Sequence, residues 1–189
     1  MPLRTSRTAF VSLLSACAVV GLTSVAAAQV KQAPAAGGHL VAPADLVKLL
    51  PAVEGWTRGD VRTSEVDTAS CAYTQVSASY ARDDVRVKIV IADTGAHADS
   101  IMAIASPIAI FPDDYAGTVP PATTIARLKI AGSPAVEMWD AEKLTGEVTV
   151  LAGGRFVVTA EAVKGDSLET LRGMLAAVDV KTLVALKQK

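Results

Sequence analysis

The chain has 189 residues, of which 51% are hydrophobic, 20% charged and 4% aromatic, with a formal net charge of −1 and two cysteines. That size suits one ordinary domain, and the composition excludes a disordered, collagen-like or disulfide-dense chain. No basic excess is present to neutralise phosphates, so nucleic acid is not an expected partner, and the apolar share comes from Ala and Val without enough aromatic residues to line a cleft.

Residues 1–8 carry Arg4 and Arg7 and no acid, and residues 9–28 are uncharged and mostly apolar, ending in Ala26-Ala27-Ala28 before Gln29. A basic start, an apolar stretch and small residues at its end predict a signal peptide over 1–28, cut between Ala28 and Gln29. A rival reading starts from Leu14-Ser15-Ala16-Cys17, which resembles a bacterial lipobox whose cysteine is acylated after cleavage. Against it, residues 18–22 stay apolar where a lipoprotein normally continues with a polar tether. A retained membrane helix is a third reading, which the Ala-rich end and the Ala-x-Ala site disfavour. Removal of 1–28 leaves 161 residues with 16 basic and 19 acidic side chains, a net charge of −3. The later apolar run 101–111 is broken by Ser106 and Pro107 and falls short of the roughly twenty residues a span needs. The expected location is the periplasm or the extracellular space, with membrane attachment only if Cys17 is lipidated.

Residues 29–42, with Ala33-Pro34-Ala35-Ala36-Gly37-Gly38, have no hydrophobic period and are read as a flexible leader. A single domain is expected over 43–189. Pro43 sets up a short helix over 44–50 with Leu46, Val47, Leu49 and Leu50 on its apolar face, stopped by Pro51. After Gly55-Trp56, residues 57–66 alternate weakly, and 73–81 place Val76, Ala78 and Tyr80 on one face. Beyond the turn at Arg82-Asp83-Asp84, Val85, Val87, Ile89 and Ile91 alternate with Arg86 and Lys88, the clearest strand in the chain, forming a hairpin with 73–81. Residues 98–110 have the Ala, Ile and Met content of a buried helix that Pro107 kinks or ends. A loop over 112–121 leads to four short strands at 124–130, 135–140, 147–151 and 155–161, whose connectors suit an antiparallel meander. Asp166 with Glu169 predicts the capped start of a helix running to Ala177, with Leu168, Leu171, Met174, Leu175 and Val178 as its stripe. A last helical turn follows Asp179.

Two groups of strands separated by one helix and followed by another define an α+β domain, a largely antiparallel sheet of six to seven strands with a central and a C-terminal helix packed on it. This order, with Gly55-Trp56 opening the first extended segment and Ile130-x-Gly132-x-Pro134-Ala135 at a strand-to-strand turn, resembles small secreted bacterial domains of PsbP/Mog1-like topology. The resemblance covers most of 44–187 and implies a binding or assembly-accessory role, with no catalytic set to transfer.

No Gly-x-Ser-x-Gly elbow, Ser-x-x-Lys pair, P-loop, dinucleotide glycine pattern or His-Glu-x-x-His occurs, and the histidines are His39 and His97 only. No metal or cofactor is expected. Cys71, with no neighbouring cation to lower its pKa, reads as a small hydrophobe. His97 and Asp99, with Asp93, offer ligands or a base, although helix capping suits them better. Asp113-Asp114 and Glu137, Asp140 and Glu142 read as solvated surface, with Glu137 and Asp140 on opposite strand faces. Trp56 and Trp139 are candidate anchors for a ligand or partner, and Phe111 and Tyr115 candidate edges of an apolar pocket, each weighed against a core role. The sequence therefore points to an exported bacterial cell-envelope domain that binds a protein partner or a small apolar ligand without catalysis. The competing class is an enzyme with an unfamiliar acid/base site near His97. A lipid-anchored accessory protein is the third.

Overall fold

A half-buried strand needs apolar residues at every second position, and the run 85–91 supplies them. In the computed structural model, which describes residues 39–67, 72–95 and 122–186, this run lies in β3 (Val85–Asp93), where Val87, Ile89 and Ile91 are fully buried. The preceding strands are β1 (Thr57–Asp67) and β2 (Ala72–Arg82), and the meander that follows is β4 (Thr123–Ile130), β5 (Ser133–Asp140), β6 (Thr145–Ala152) and β7 (Phe156–Lys164). All seven join one antiparallel sheet in the order β1-β2-β3-β7-β6-β5-β4. The last strand of the meander therefore docks on β3, with Ile91 opposite Val158 and Ile89 opposite Ala160, and its first strand is left at the sheet edge.

Three short helices accompany the sheet among the described residues: α1 (Pro43–Val47), α2 (Leu168–Ala176) and α3 (Val180–Ala185). They pack on one sheet face, α1 against β1 and β2, α2 against β7, β6 and β3, and α3 against β6. The core between the layers holds Tyr80, Ile89, Val150, Phe156 and Val158 from the sheet, and Leu46, Leu171, Met174, Leu175 and Leu183 from the helices. The opposite face carries a smaller apolar cluster, Ala92 and Val157 with Val136 and Leu151 against them. The sheet-rich α+β class and its antiparallel pairing are thus those expected, while the predicted central helix over 98–110 lies outside the described residues.

Several local readings are corrected. Helix α1 ends at Val47, short of the expected Leu50, and Leu49 and Leu50 bond back to Leu46 and Val47 in the turn that follows. The N-cap of α2 is Ser167, in extended backbone at φ −163°, whose hydroxyl accepts from the Thr170 N–H at 3.2 Å. Asp166 lies one residue outside and instead binds Arg82 at 3.0 Å. The β4–β5 reversal falls on Ala131 and Gly132, both at positive φ (50° and 81°), one residue earlier than Gly132-Ser133-Pro134 suggests. That double left-handed geometry matches the twist of a tight hairpin.

Candidate binding surface

Of the acidic residues that the sequence singled out, Asp93, Glu137 and Asp140 are held within the fold. Asp93 is fully buried at the end of β3 and takes a two-pronged contact from Arg155, Nε to Oδ1 at 2.6 Å and Nη2 to Oδ2 at 2.7 Å. The same carboxylate accepts from the Val41 N–H at 2.7 Å and the Gly95 N–H at 3.0 Å, and Arg155 also donates to the His39 carbonyl at 2.7 Å. A buried carboxylate with every lone pair engaged is a clamp, here tying the chain entering the domain to the ends of β3 and β7.

Glu137 and Asp140 overturn the expectation of solvated surface, since both are buried. Glu137 lies on the helix-side face of β5, where Arg172 of α2 meets it with Nε at 2.9 Å and Nη2 at 2.5 Å while also contacting Glu169. Asp140 closes the β5–β6 turn, its Oδ1 accepting from the Glu142 and Lys143 N–H groups at 3.0 Å each and its Oδ2 from the Lys143 ammonium at 2.7 Å. The Lys143 ammonium and these backbone bonds hold the Asp140 carboxyl below the ordinary carboxylate range. Glu142 itself is exposed.

Trp56 is partly buried against the core, with the Arg82 guanidinium 4.6 Å from its ring centroid, and Arg82 in turn joins Asp166. That stack covers the indole face. Trp139 is 8% exposed within the core, beside two glycines at which a Cβ would strike its ring, Gly146 and Gly165. Its indole thus packs directly on backbone, in a core position. Phe111 and Tyr115 lie outside the described residues, as do Cys17, Cys71, His97, Asp99, Asp113 and Asp114.

Two features escaped the sequence reading. The first is an open groove of about 340 Å³ where the β4–β5 turn meets the α2–α3 junction, lined by Ile130, Ala131, Leu175, Val178, Val180 and Lys181 among others. It forms because the chain breaks helix at Val178, with the Asp179 carboxylate capping α3 through the Thr182 N–H at 3.0 Å. The second is a polar row on the helix-free face, where Glu147 of β6 stands directly opposite Glu161 of β7, and Lys88 of β3 reaches Glu161 at 3.8 Å. Burial, reinforced by the Glu161 charge, pushes the Glu147 carboxyl up to about 7. Alternation along each strand places these residues on the polar face, but only the register brings the two carboxylates together.

Among the described residues no group of three or more His, Cys, Asp or Glu side chains is arranged to hold a metal ion, and no helix is long and apolar enough to cross a membrane. Comparison with family models, with curated proteins and with solved structures finds no match to this chain.

Proposed function

We propose that this protein is an exported bacterial cell-envelope domain that works by binding, as a non-enzymatic accessory module for a protein partner or a small apolar ligand. The observation that carries the reading is the aliphatic groove between Ile130 and Val180, a concave apolar surface open at the molecular rim. The disposition of Asp93, Glu137 and Asp140 supports it: each carboxylate is engaged by an arginine, a lysine or backbone N–H groups, so these three acidic residues serve the architecture. Export rests on the signal-like order of residues 1–28, and the resemblance to PsbP/Mog1-like domains favours an accessory role. The groove fits a ligand or a chain segment with aliphatic side chains, because Ile130, Leu175, Val178 and Val180 supply most of its wall, with Asp179 and Lys181 at its polar side.

The test is the intact mass of protein isolated from its own host, under native and denaturing conditions. The expected result is a denatured mass beginning at Gln29 and additional mass retained under native conditions. A mass beginning at Cys17 with acyl chains assigns the tethered form of the same module. Protein that retains no added mass and yields no crosslinked envelope partner refutes the binding role.

A further inference from the structure

β3 and β4 follow one another in the chain, yet β7, β6 and β5 separate them in the sheet. Neighbours from β4 to β3 all pair antiparallel, so β3 and β4 run the same way. The chain therefore leaves β3 at one end of the sheet and returns to the start of β4 at the other. That return covers about 19 Å across the strands and about 25 Å back along them, so it passes over one face. The register decides which. The tight turns close on Ile130 opposite Ser133 and on Arg82 opposite Val85, so Ile130 bonds its backbone to β5 and Val85 to β2. Both side chains point to the helix side. On a strand running upward, an L-residue whose side chain faces the viewer turns its N–H and C=O groups to the right. Seen from the helix side, β5 thus lies to the right of β4 and β2 to the right of β3, and both turns give one order, β4 at the left and β1 at the right. The connection from β3 to β4 moves leftward, and a right-handed crossover that moves leftward passes behind the sheet, over the helix-free face.

That face carries an apolar track along the same path. Ala92 of β3, Val157 of β7, Leu151 of β6, Val136 and Met138 of β5 and Ile125 of β4 share it, and the register sets them on a diagonal from the end of β3 to the start of β4. Leu151 and Val136 pack against the Ala92–Val157 pair. The polar row of Lys88, Glu161 and Glu147 lies to one side of the diagonal. Val157 and Thr149 are only 8% and 4% exposed, although the described helices pack on the opposite face. A side chain on an uncovered sheet face keeps one side in water, so this burial requires a cover. Residues 68–71 join β1 to β2 and 187–189 are three residues long, and neither reaches across to β6. Residues 96–121 begin at one end of the diagonal and finish at the other, and within them Ile101, Ile104, Ile108 and Phe111 recur at helical spacing. A helix over 98–110 would span about 20 Å of the path.

We propose that the helix-free face is the seat of the chain's own segment 96–121, which crosses it in a right-handed sense along the Ala92–Ile125 diagonal and gives the domain a third layer. The segment's isoleucines meet Val157, Leu151 and Val136, burying apolar surface on both sides of the contact. This face is thereby closed to other molecules, and a partner meets the domain at its helix side and its rims.

The test reads methyl–methyl nuclear Overhauser contacts in the unsubstituted protein labelled at its isoleucine, leucine and valine methyls. Contacts from Ile101, Ile104 or Ile108 to Val157, Leu151 and Val136 are expected, with none to Leu171 or Leu183 on the helix side. Contacts to Leu171 or Leu183, or no contact from these isoleucines to any sheet methyl, overturn the proposal. So do contacts that appear only between differently labelled copies in a mixed sample, which assign the face to a second chain, and contacts from Val30 to Val157, which assign it to the leader. A second measurement reads the cover itself, with Cys17 and Cys71 replaced by serine. Val157→Cys is expected to react with a thiol reagent about tenfold or more slowly than Val163→Cys, on the same strand at a position 59% exposed. Equal rates in folded protein mean that nothing lies over Val157, and the proposal fails.

Discussion

At position 93 a carboxylate removed from water is stable only because Arg155 and two backbone N–H groups replace the lost hydration. Asp93→Ala would leave the Arg155 guanidinium buried without its partner, and a loss of about 3–5 kcal/mol is expected in urea unfolding. Arg155→Met in the same background should recover part of that loss, and a double variant no more stable than Asp93→Ala alone would show that the orphaned guanidinium carries no penalty. The sequence offers Asp93 as a candidate ligand but does not show its partner, which is 62 residues further along the chain. Glu147 presents the opposite case, a carboxyl whose folded pKa is raised to about 7 by burial and by Glu161 opposite it. Its folded form keeps a proton that the unfolded chain releases above its ordinary value, so its contribution is fully present below about pH 4.5 and lost as pH rises through about 7. The change is at most about 3 kcal/mol, and water at the partly open face reduces it. Urea midpoints at pH 5 and pH 8 should therefore differ less in Glu147→Gln than in the unsubstituted protein; an identical difference would remove Glu147 as the cause. The lowered carboxyls of Asp140, Asp166 and Asp179 act with the reverse sign, losing their contribution only as pH falls through the acid range, so the two windows separate.

Elements were legible where one face is buried and the other wet, as in β3, and faint where both faces are open, as in β1. The latter is an edge strand with mostly exposed side chains, so no burial enforces alternation. The start of α2 is ambiguous in sequence because Asp166 and Ser167 are both good capping residues and only backbone conformation decides between them. Ser167→Ala is expected to cost about 1 kcal/mol, whereas Asp166→Ala, which breaks the half-exposed pair with Arg82 and the contacts of its carboxylate with the Ser167 and Thr170 hydroxyls, should cost about 0.5 kcal/mol. Equal costs in thermal unfolding would contradict that assignment of the cap. From its sequence Gly146 belongs to the connector before 147–151, yet it lies within β6, and a Cβ there would meet the Met138 carbonyl and the Trp139 ring. Gly146→Ala should thus destabilise by about 1–3 kcal/mol through overpacking, with an altered Trp139 emission in the folded state. Unchanged emission and stability would mean that β5 and β6 do not approach this closely. The same long-range placement hid the groove: the α2 stripe was readable from 168–178, but its meeting with the Ala131-Gly132 turn depends on how β4 and β5 cross the sheet.

Across the whole molecule, the two strand groups share one seam in the sheet, β3 against β7, and local patterning carried no signal for it because any of the four meander strands offers β3 an apolar face. The seam is what makes the domain a unit. Ile89 and Ile91 face Ala160 and Val158 across it, and α2 lies over β3, β7 and β6 together, so the first three strands cannot separate from the last four without opening the main core. The two tryptophans report on the two sides, Trp56 beside Arg82 of β2 and Trp139 within β5. In Trp56→Phe the emission of Trp139 should follow the far-UV circular dichroism through urea unfolding, and in Trp139→Phe the emission of Trp56 should do the same. Comparing probes within each variant removes the effect of the substitution on stability. If the seam yields first, the Trp56 and Trp139 transitions depart from the dichroism in opposite senses, and the strand groups are then two cooperative units joined by a weak pairing. Coincidence in both variants means that burial across β3 and β7 couples the groove to the Asp93–Arg155 clamp, which spans that seam, so loss of the clamp lowers the population of the binding-competent surface by the same free energy that it removes from the fold.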